Sequence, residues 1–507
     1  MKKNQLKLGV VLTYVNLMAT NVISLLYTPY ILHTLGQKEY GVYTLVWSIV
    51  NYLTVLDMGF SNAIIRYASK YRAEDDKEKE ARLYGTFLMI YLGIAIVAIL
   101  ACYMIRGNFA MFAKGLTSSE SDIAVKLIAI GSLNIAVSFP FSVFRAVVNV
   151  CEDYIFIKCV DFARTILTPA MTFVVLFTGH RSVGLMWSYT IISLIVMGVY
   201  VFYTFAIIRQ RFLFQLCERA VLRELFVYSF YTFLGMIVDK IYWGTDQIIL
   251  ARATDSEIIA TYSIGSNFPN YFISFSTAIS GVLLPRITKM SISKNADEKA
   301  RQTLLSDWFI KVGRLQFWVL SLVFLGFLFW GKEFICLWAG KEYSEAYLIA
   351  MIIMCPSIIS LTQNTGISIL QAVNKIKFRS ISYVFIALFN IIVSLLLVGK
   401  YGGIGCAVGT SLGTILGPII LMNIYYYRVI KLDIPGYWKN VCSMLKGWII
   451  PIIVGTILSK IIYIDSYIKL AVVIILFTIV FGLSAYITGF NPYEKRLVKS
   501  VLCKIKK

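Results

Sequence analysis

Long apolar runs alternate with short polar breaks along almost the whole chain. The run TFLMIYLGIAIVAILACYMI (86–105) and the stretch 470–488 carry no charge. About 20 consecutive apolar residues cross a bilayer as a helix. Applied from end to end, the pattern predicts fourteen membrane-spanning helices, near 8–32, 40–65, 83–105, 123–149, 155–178, 183–208, 226–252, 258–285, 305–330, 346–373, 380–399, 403–427, 445–463 and 467–488. The runs 123–149, 226–252 and 346–373 fit least well, because polar residues interrupt them. The first run is too long for the h-region of a signal peptide and no small-residue cleavage site follows it, so a retained first helix is expected. The expected fold class is an all-α polytopic membrane protein.

The polar positions inside these runs are themselves periodic. Thr13, Asn16, Thr20, Ser24 and Tyr27 stripe the first span, and Asn51, Thr54, Asp57 and Ser61 the second. Similar stripes run through Asn134–Asn149, Ser263–Thr277 and Ser357–Gln371, with Pro140, Pro269 and Pro356 among or beside them. Steps of three and four place each set on one helix face. Such faces avoid lipid, where an unsatisfied polar group costs several kcal/mol. Hydrogen bonds between helices account for any single Ser or Thr; for five stripes, a shared hydrated cavity is the expectation. Gly405, Gly409, Gly413 and Gly417 instead form a small-residue seam suited to close helix packing.

Composition agrees with the pattern: 58% of the 507 residues are hydrophobic and 15% charged, against about 45–50% and about 25% in soluble domains. The net charge of +21 would suit nucleic acid, but its placement argues against that partner. Most of the 48 Lys and Arg lie in segments that fall on one side, including RYASKYRAEDDKEKEAR (66–82), 209–223 and KRLVKSVLCKIKK (495–507). That is the positive-inside asymmetry. An even number of spans then puts both termini in the cytoplasm, with the basic loops against anionic lipid head groups. The nine cysteines show no CxxC and no His at ligand spacing, so no disulfide, metal or cofactor is expected.

Several charges fall inside the runs. Lys126, Asp161, Arg164, Asp307, Lys311 and Arg314 lie near helix ends, where snorkelling or local pairing is the ordinary account. Asp57, Arg145, Asp239 and Lys240 lie deeper and mark a substrate or ion pathway. Asp246 shares a face with Asp239 and Trp243. Fixed Arg and Lys suit phosphate, with Arg able to bind it bidentately. The acids are candidates for ion coupling or for pairing with those cations.

The two halves echo one another at offsets of 218 to 221. GQKEYGVYTL (36–45) matches DSEIIATYSI (255–264), with Glu39 opposite Glu257; IIRYASK (64–70) matches LLPRITK (283–289). EKEAR (78–82) matches DEKAR (297–301), and SVG (182–184) matches GIG (403–405). Two six-helix bundles in parallel repeat, a recurring transporter plan, are therefore expected at 1–210 and 211–430, followed by two further helices and a basic tail at 431–507.

The segment LGQKEYGVYTLVWSIVNYLTVLDMGFSNAIIRYASKYRA (35–73) closely resembles the link between spans one and two in bacterial polysaccharide flippases of the O-antigen (Wzx) type. TDQIILARATDSEIIATYSIGSNF (245–268) resembles its second-half counterpart. These belong to the multidrug/oligosaccharidyl-lipid/polysaccharide exporter superfamily, and the resemblance extends over essentially the whole chain. It implies a central cavity open to one side at a time, in the bacterial inner membrane. The implied substrate is a polyprenyl-pyrophosphate-linked oligosaccharide, an O-antigen, capsule or exopolysaccharide unit, with polymerase and chain-length machinery as partners. The diphosphate would be held by cavity cations, for which Arg145 and Lys240 are the leading candidates, followed by Arg66 and Arg314. A cation-coupled drug exporter of the same superfamily is the alternative, kept open by the acids on spans two and seven. A membrane-embedded polymerase or acyltransferase fits poorly: the outer loops are short and the only histidines are His33 and His180.

Overall fold

The computed structural model describes residues 2–109, 113–292, 298–373, 375, 377–496 and 499. Among these there is no strand. The main helices are α1 (Lys2–Leu53), α2 (Phe60–Ala73), α3 (Lys77–Gly107), α4 (Ser118–Val150), α5 (Tyr154–Phe177), α6 (Arg181–Phe202), α7 (Arg219–Ala253) and α8 (Ser256–Ile292). They continue with α9 (Glu298–Trp338), α10 (Ala346–Thr362), α11 (Asn364–Ala372), α12 (Lys377–Thr414), α13 (Ile434–Met444), α14 (Ile449–Ile461) and α15 (Tyr467–Ser484).

Among the described residues, ten helices are long and apolar enough to cross a membrane, or eleven if α10 and α11, bent by 45°, form one span. The expected count was fourteen. Part of the difference is continuity: Leu12–Ala73 and Lys377–Ile430 run as single stretches of 62 and 54 residues. Either is about twice the length one span requires. Each is broken internally at a glycine in the positive-φ region, Gly36 (φ 75°) and Gly402 (φ 50°). Helices of this length would leave exposed apolar side chains in water. Here Leu92, Ile96, Leu100 and Tyr103, at steps of four and three on α3, are all exposed, as a lipid-facing stripe is.

Two compact units make up the chain. One comprises Met1–Ser263 with Leu395–Cys406, the other Ile264–Ser394 with Ala407–Lys507. These units follow packing, and α7 joins the first because it lies against α1 and α2. In the first unit α3 packs along α4, and α5 packs against α1 and α6. An apolar cluster of Phe144, Val148, Ile157 and Tyr200 ties α4, α5 and α6 together. In the second unit α9 is the central element, in contact with α10, α13, α14 and α15.

Local signals explain where helices begin. Thr117 and Glu120 form a reciprocal capping box at the start of α4. Asp76 Oδ1 accepts from the Lys79 amide 3.0 Å away and starts α3. The Lys79 ammonium beside it holds the Asp76 carboxyl below its usual range. The kink between α1 and α2 is made by Met58 (φ 51°) and Gly59 (φ 73°), two successive left-handed residues.

Candidate functional site

The first unit gathers a cluster of opposed charges inside its helices. Asp161 on α5 accepts from Arg145 Nη2 of α4 at 3.2 and 3.3 Å. Lys158 Nζ lies 3.8 Å from the same carboxylate, one turn earlier on α5. Arg164, three residues beyond Asp161, donates to Ser193 Oγ at 3.1 Å and stands 5.1 Å from the centre of the Tyr189 ring. Arg145 in turn lies 5.9 Å from the Tyr200 ring centre. Arg145, Asp161 and Arg164 are all within electrostatic reach of Tyr200.

Two cations, Arg145 and Lys158, therefore lie within ion-pair distance of Asp161, and Arg164 stands one turn further along α5, engaged with Ser193 and Tyr189. The Arg145 side chain is 49% exposed and Asp161 26%, so the pair is not sealed inside protein. The Tyr200 hydroxyl is buried and has no hydrogen-bond partner among the described residues. An excess of positive charge, a guanidinium with free donor edges and an unused hydroxyl suit an anion with several oxygens.

Other expected site residues lie elsewhere. Arg66 on α2 has no carboxylate within ion-pair distance among the described residues; it stacks on Tyr228 of α7, 4.7 Å from the ring centre. Lys240 is partly buried on α7, and its carbonyl accepts from Tyr52 OH at 3.0 Å. Asp246 is buried and accepts from Tyr262 OH. The side chain of Asp239 lies outside the described residues. Asp57 accepts from Ser61 Oγ at 2.8 Å and from the buried Tyr91 OH at 2.6 Å. No Lys or Arg among the described residues reaches it.

Arg314 in the second unit is placed unlike the other cations. Its Nε and Nη2 grip Glu494 at 2.6 and 2.8 Å, while Nη1 and Nη2 donate to Asn440 Oδ1 and the Gly489 carbonyl, both at 3.0 Å. Both side chains are about 95% buried. A guanidinium so engaged has no face left for a ligand.

The polar stripes are mostly spent locally. Ser138 and Ser142 donate to Ile135 and Phe139 carbonyls of their own helix, and Thr20, Ser274 and Thr277 do likewise. Such back-bonding satisfies a hydroxyl without a neighbour. Two residues escaped sequence reading: Lys158 beside Asp161 in the first unit, and Glu494 as the partner of Arg314 in the second. Lys158 was legible in principle, since Lys158, Asp161 and Arg164 fall at steps of three.

Long apolar helices with charges inside them are those of an integral membrane protein. Residues 6–291, more than half the chain, match the family described as "Polysaccharide biosynthesis protein", and the chain belongs to that family. It is 21% identical to the "Putative O-antigen transporter" of Shigella flexneri over 77% of this chain and 90% of that protein. It is 22% identical to the "Probable flippase AglR" of Haloferax volcanii over 78% of each. Its fold is that of the lipid II flippase MurJ in an inward closed conformation, with a TM-score of 0.73, 16% identity, and coverage of 97% of this chain and 99% of that one. An inward-facing multidrug transporter of the MATE family shares the fold at a TM-score of 0.62 and 11% identity, over 85% and 99%. The chain is thus a multi-pass membrane transporter of the multidrug/oligosaccharidyl-lipid/polysaccharide superfamily, not an enzyme.

Proposed function

We propose that this transporter is a flippase for a polyprenyl-pyrophosphate-linked oligosaccharide, carried from the cytoplasmic to the outer leaflet by alternating access. The observation that carries the reading is the pair of cations, Arg145 and Lys158, on the Asp161 carboxylate, with Arg164 one turn further along the same helix. A diphosphate brings the negative charge that this cluster lacks. In exchange for Asp161, Arg145 offers it paired N–H donors, which a point charge does not. Lys240 and Arg66 are proposed as further contacts along the route, and Arg314 is proposed as a structural residue. Family membership and the names of the relatives support a lipid-linked glycan over other cargo. We further propose an inner-membrane location with both termini cytoplasmic, following the charge asymmetry of the loops. Polymerase and chain-length machinery would then act on the exported unit.

A second reading has its own support. Asp57 is a carboxylate inside the helical region held by two hydroxyls and, among the described residues, by no cation, which suits a proton or sodium ion. Ion coupling would be shared by a flippase and by a drug exporter, so Asp57 bears on the energy source more than on the cargo.

The test is mass spectrometry of polyprenyl-linked oligosaccharides in a strain lacking this protein. The proposal expects one complete lipid-linked unit to accumulate and to clear on re-expression. An unchanged lipid pool with altered drug sensitivity would overturn it in favour of the exporter.

A further inference from the structure

Arg209 (φ 56°) and Lys431 (φ 63°) both adopt the left-handed backbone that glycine adopts without strain. They are 222 positions apart, close to the repeat offset. Each closes a wide helical turn, Tyr203–Ile208 in the first unit and Tyr426–Ile430 in the second. The closure is the same in both: the Gln210 amide reaches back to the Thr204 carbonyl at 3.2 Å, and the Leu432 amide to the Tyr426 carbonyl at 3.0 Å. The chain that follows is pinned to a helix of its own unit. Thr86 Oγ1 of α3 accepts from the Cys217 amide at 3.1 Å, and Ser306 Oγ of α9 accepts from the Asp433 amide at 3.0 Å. Beside each turn lies a cleft, of 600 Å³ in the first unit and 610 Å³ in the second.

The two clefts share a backbone but not a charge. In the first, Arg72 and Glu80 are already paired at 3.0 Å, and Arg72 also donates to Cys151 Sγ at 2.7 Å and to Gln210 Oε1 at 3.3 Å. Lys77, Arg209 and Arg211 line the same cleft, are exposed, and have no carboxylate within ion-pair distance among the described residues. Against them stand Asp75 and Glu78, and Glu78 is taken by Arg82 at 2.5 Å. The second cleft is balanced, lined by Lys299 and Lys431 together with Asp307 and Asp433. Exposed apolar side chains flank the first cleft's arginines along the chain, Phe205 and Ile207 before them and Phe214 and Leu216 after. Basic residues set among exposed apolar ones are suited to the boundary between lipid tails and head groups. A soluble anion would leave those apolar side chains unused.

We propose that the first cleft binds the phosphodiester head group of an anionic phospholipid, with Lys77, Arg209 and Arg211 on the phosphate and the acyl chains along the exposed apolar flanks. Basic loops attract anionic lipid diffusely; this cleft holds one molecule at one place. The second cleft, equal in size and turn geometry but without surplus cations, does not select for that lipid. The proposed site shares no residue with the Arg145–Asp161 cluster. It rests on the chain being a membrane protein and not on the identity of the cargo.

The test uses the purified full-length protein in detergent with phosphatidylglycerol added. The rise in thermal midpoint gives the apparent affinity, and native mass spectrometry gives the number of lipids bound. Arg209→Gly with Arg211→Gln is expected to weaken that affinity about fivefold for each charge removed and to lose one tightly bound lipid. Lys431→Gly relieves the same backbone and also removes one charge, but from the second cleft, and is expected to leave the affinity unchanged. An equal loss in the two proteins shows diffuse attraction and overturns the site, as does an unchanged affinity in the first. Should the double variant fail to fold, Lys77→Gln removes one exposed cation from the same cleft and is expected to weaken binding about fivefold; an unchanged affinity there overturns the site. Inorganic phosphate and phosphatidylethanolamine are the comparison probes. Equal stabilisation by either, lost in the same variant, overturns an anionic lipid as the occupant.

Discussion

Thr44 and Ser263 stand 219 positions apart and share a hydrogen bond of 3.0 Å. The same offset separates Gly41 from Ala260, whose amide nitrogen would lie 3.3 Å from a Cβ at Gly41. Both contacts lie within the first compact unit. Interhelical hydrogen bonds in membranes average about 0.6 kcal/mol.

Gly41 tests how closely α1 and α8 are packed. Gly41→Val forces overlap with the Ser256 backbone and is expected to cost about 1–3 kcal/mol, read as a lowered thermal midpoint in detergent. Gly93→Val is the control, since nothing lies within 4 Å of a Cβ there; its midpoint should stay unchanged apart from small propensity effects.

The Arg314–Glu494 pair predicts a structural phenotype. Removing one partner strands a buried charge, and Arg314→Ala or Glu494→Leu should each cost about 3–5 kcal/mol. Their joint replacement by Met and Leu should recover much of the loss. Abundance and thermal midpoint are the measurements. An Arg314→Ala protein of normal abundance and midpoint that fails to export would return Arg314 to the substrate path.

At Arg145 the expectation is reversed. Hydrogen bonds to charged groups contribute about 1.5–3 kcal/mol, so Arg145→Ala should reduce export by about ten- to a hundredfold with abundance unchanged. Arg145→Lys keeps the charge but loses the fork and should recover only part. Lys240→Ala should likewise impair export at normal abundance; a matching fall in abundance would assign it to folding.

Asp57 speaks to coupling. Asp57→Asn keeps both hydroxyl contacts possible but removes the charge, and should abolish the response of export to an imposed proton or sodium gradient. A retained response would assign coupling to another group. Tyr91→Phe should weaken the response without abolishing it.

The fold was legible because lipid imposes its own periodicity: an apolar run near 86–105 has no other stable use. The count of fourteen is not confirmed among the described residues, although the breaks at Gly36 and Gly402 divide two long helical stretches where the apolar runs read separate spans. The site was legible in part. Arg145 stood out because an arginine amid apolar residues demands an explanation, and Asp161 was noted three residues from Arg164. Partners far away in sequence were not legible: Glu494 lies 180 residues from Arg314 and sits in a segment that reads as tail. The contacts of α1 escaped for a similar reason. Gly41, Ser48 and Tyr52 are unremarkable alone, and their partners lie about 190 to 220 residues on.

The most direct test reconstitutes the purified protein in vesicles with a fluorescent polyprenyl-diphosphate oligosaccharide and measures its exchange between leaflets by quenching from outside. The account predicts that the wild-type protein makes nearly all of the label accessible, while Arg145→Ala slows the exchange about ten- to a hundredfold. Equal exchange with and without the protein would contradict it.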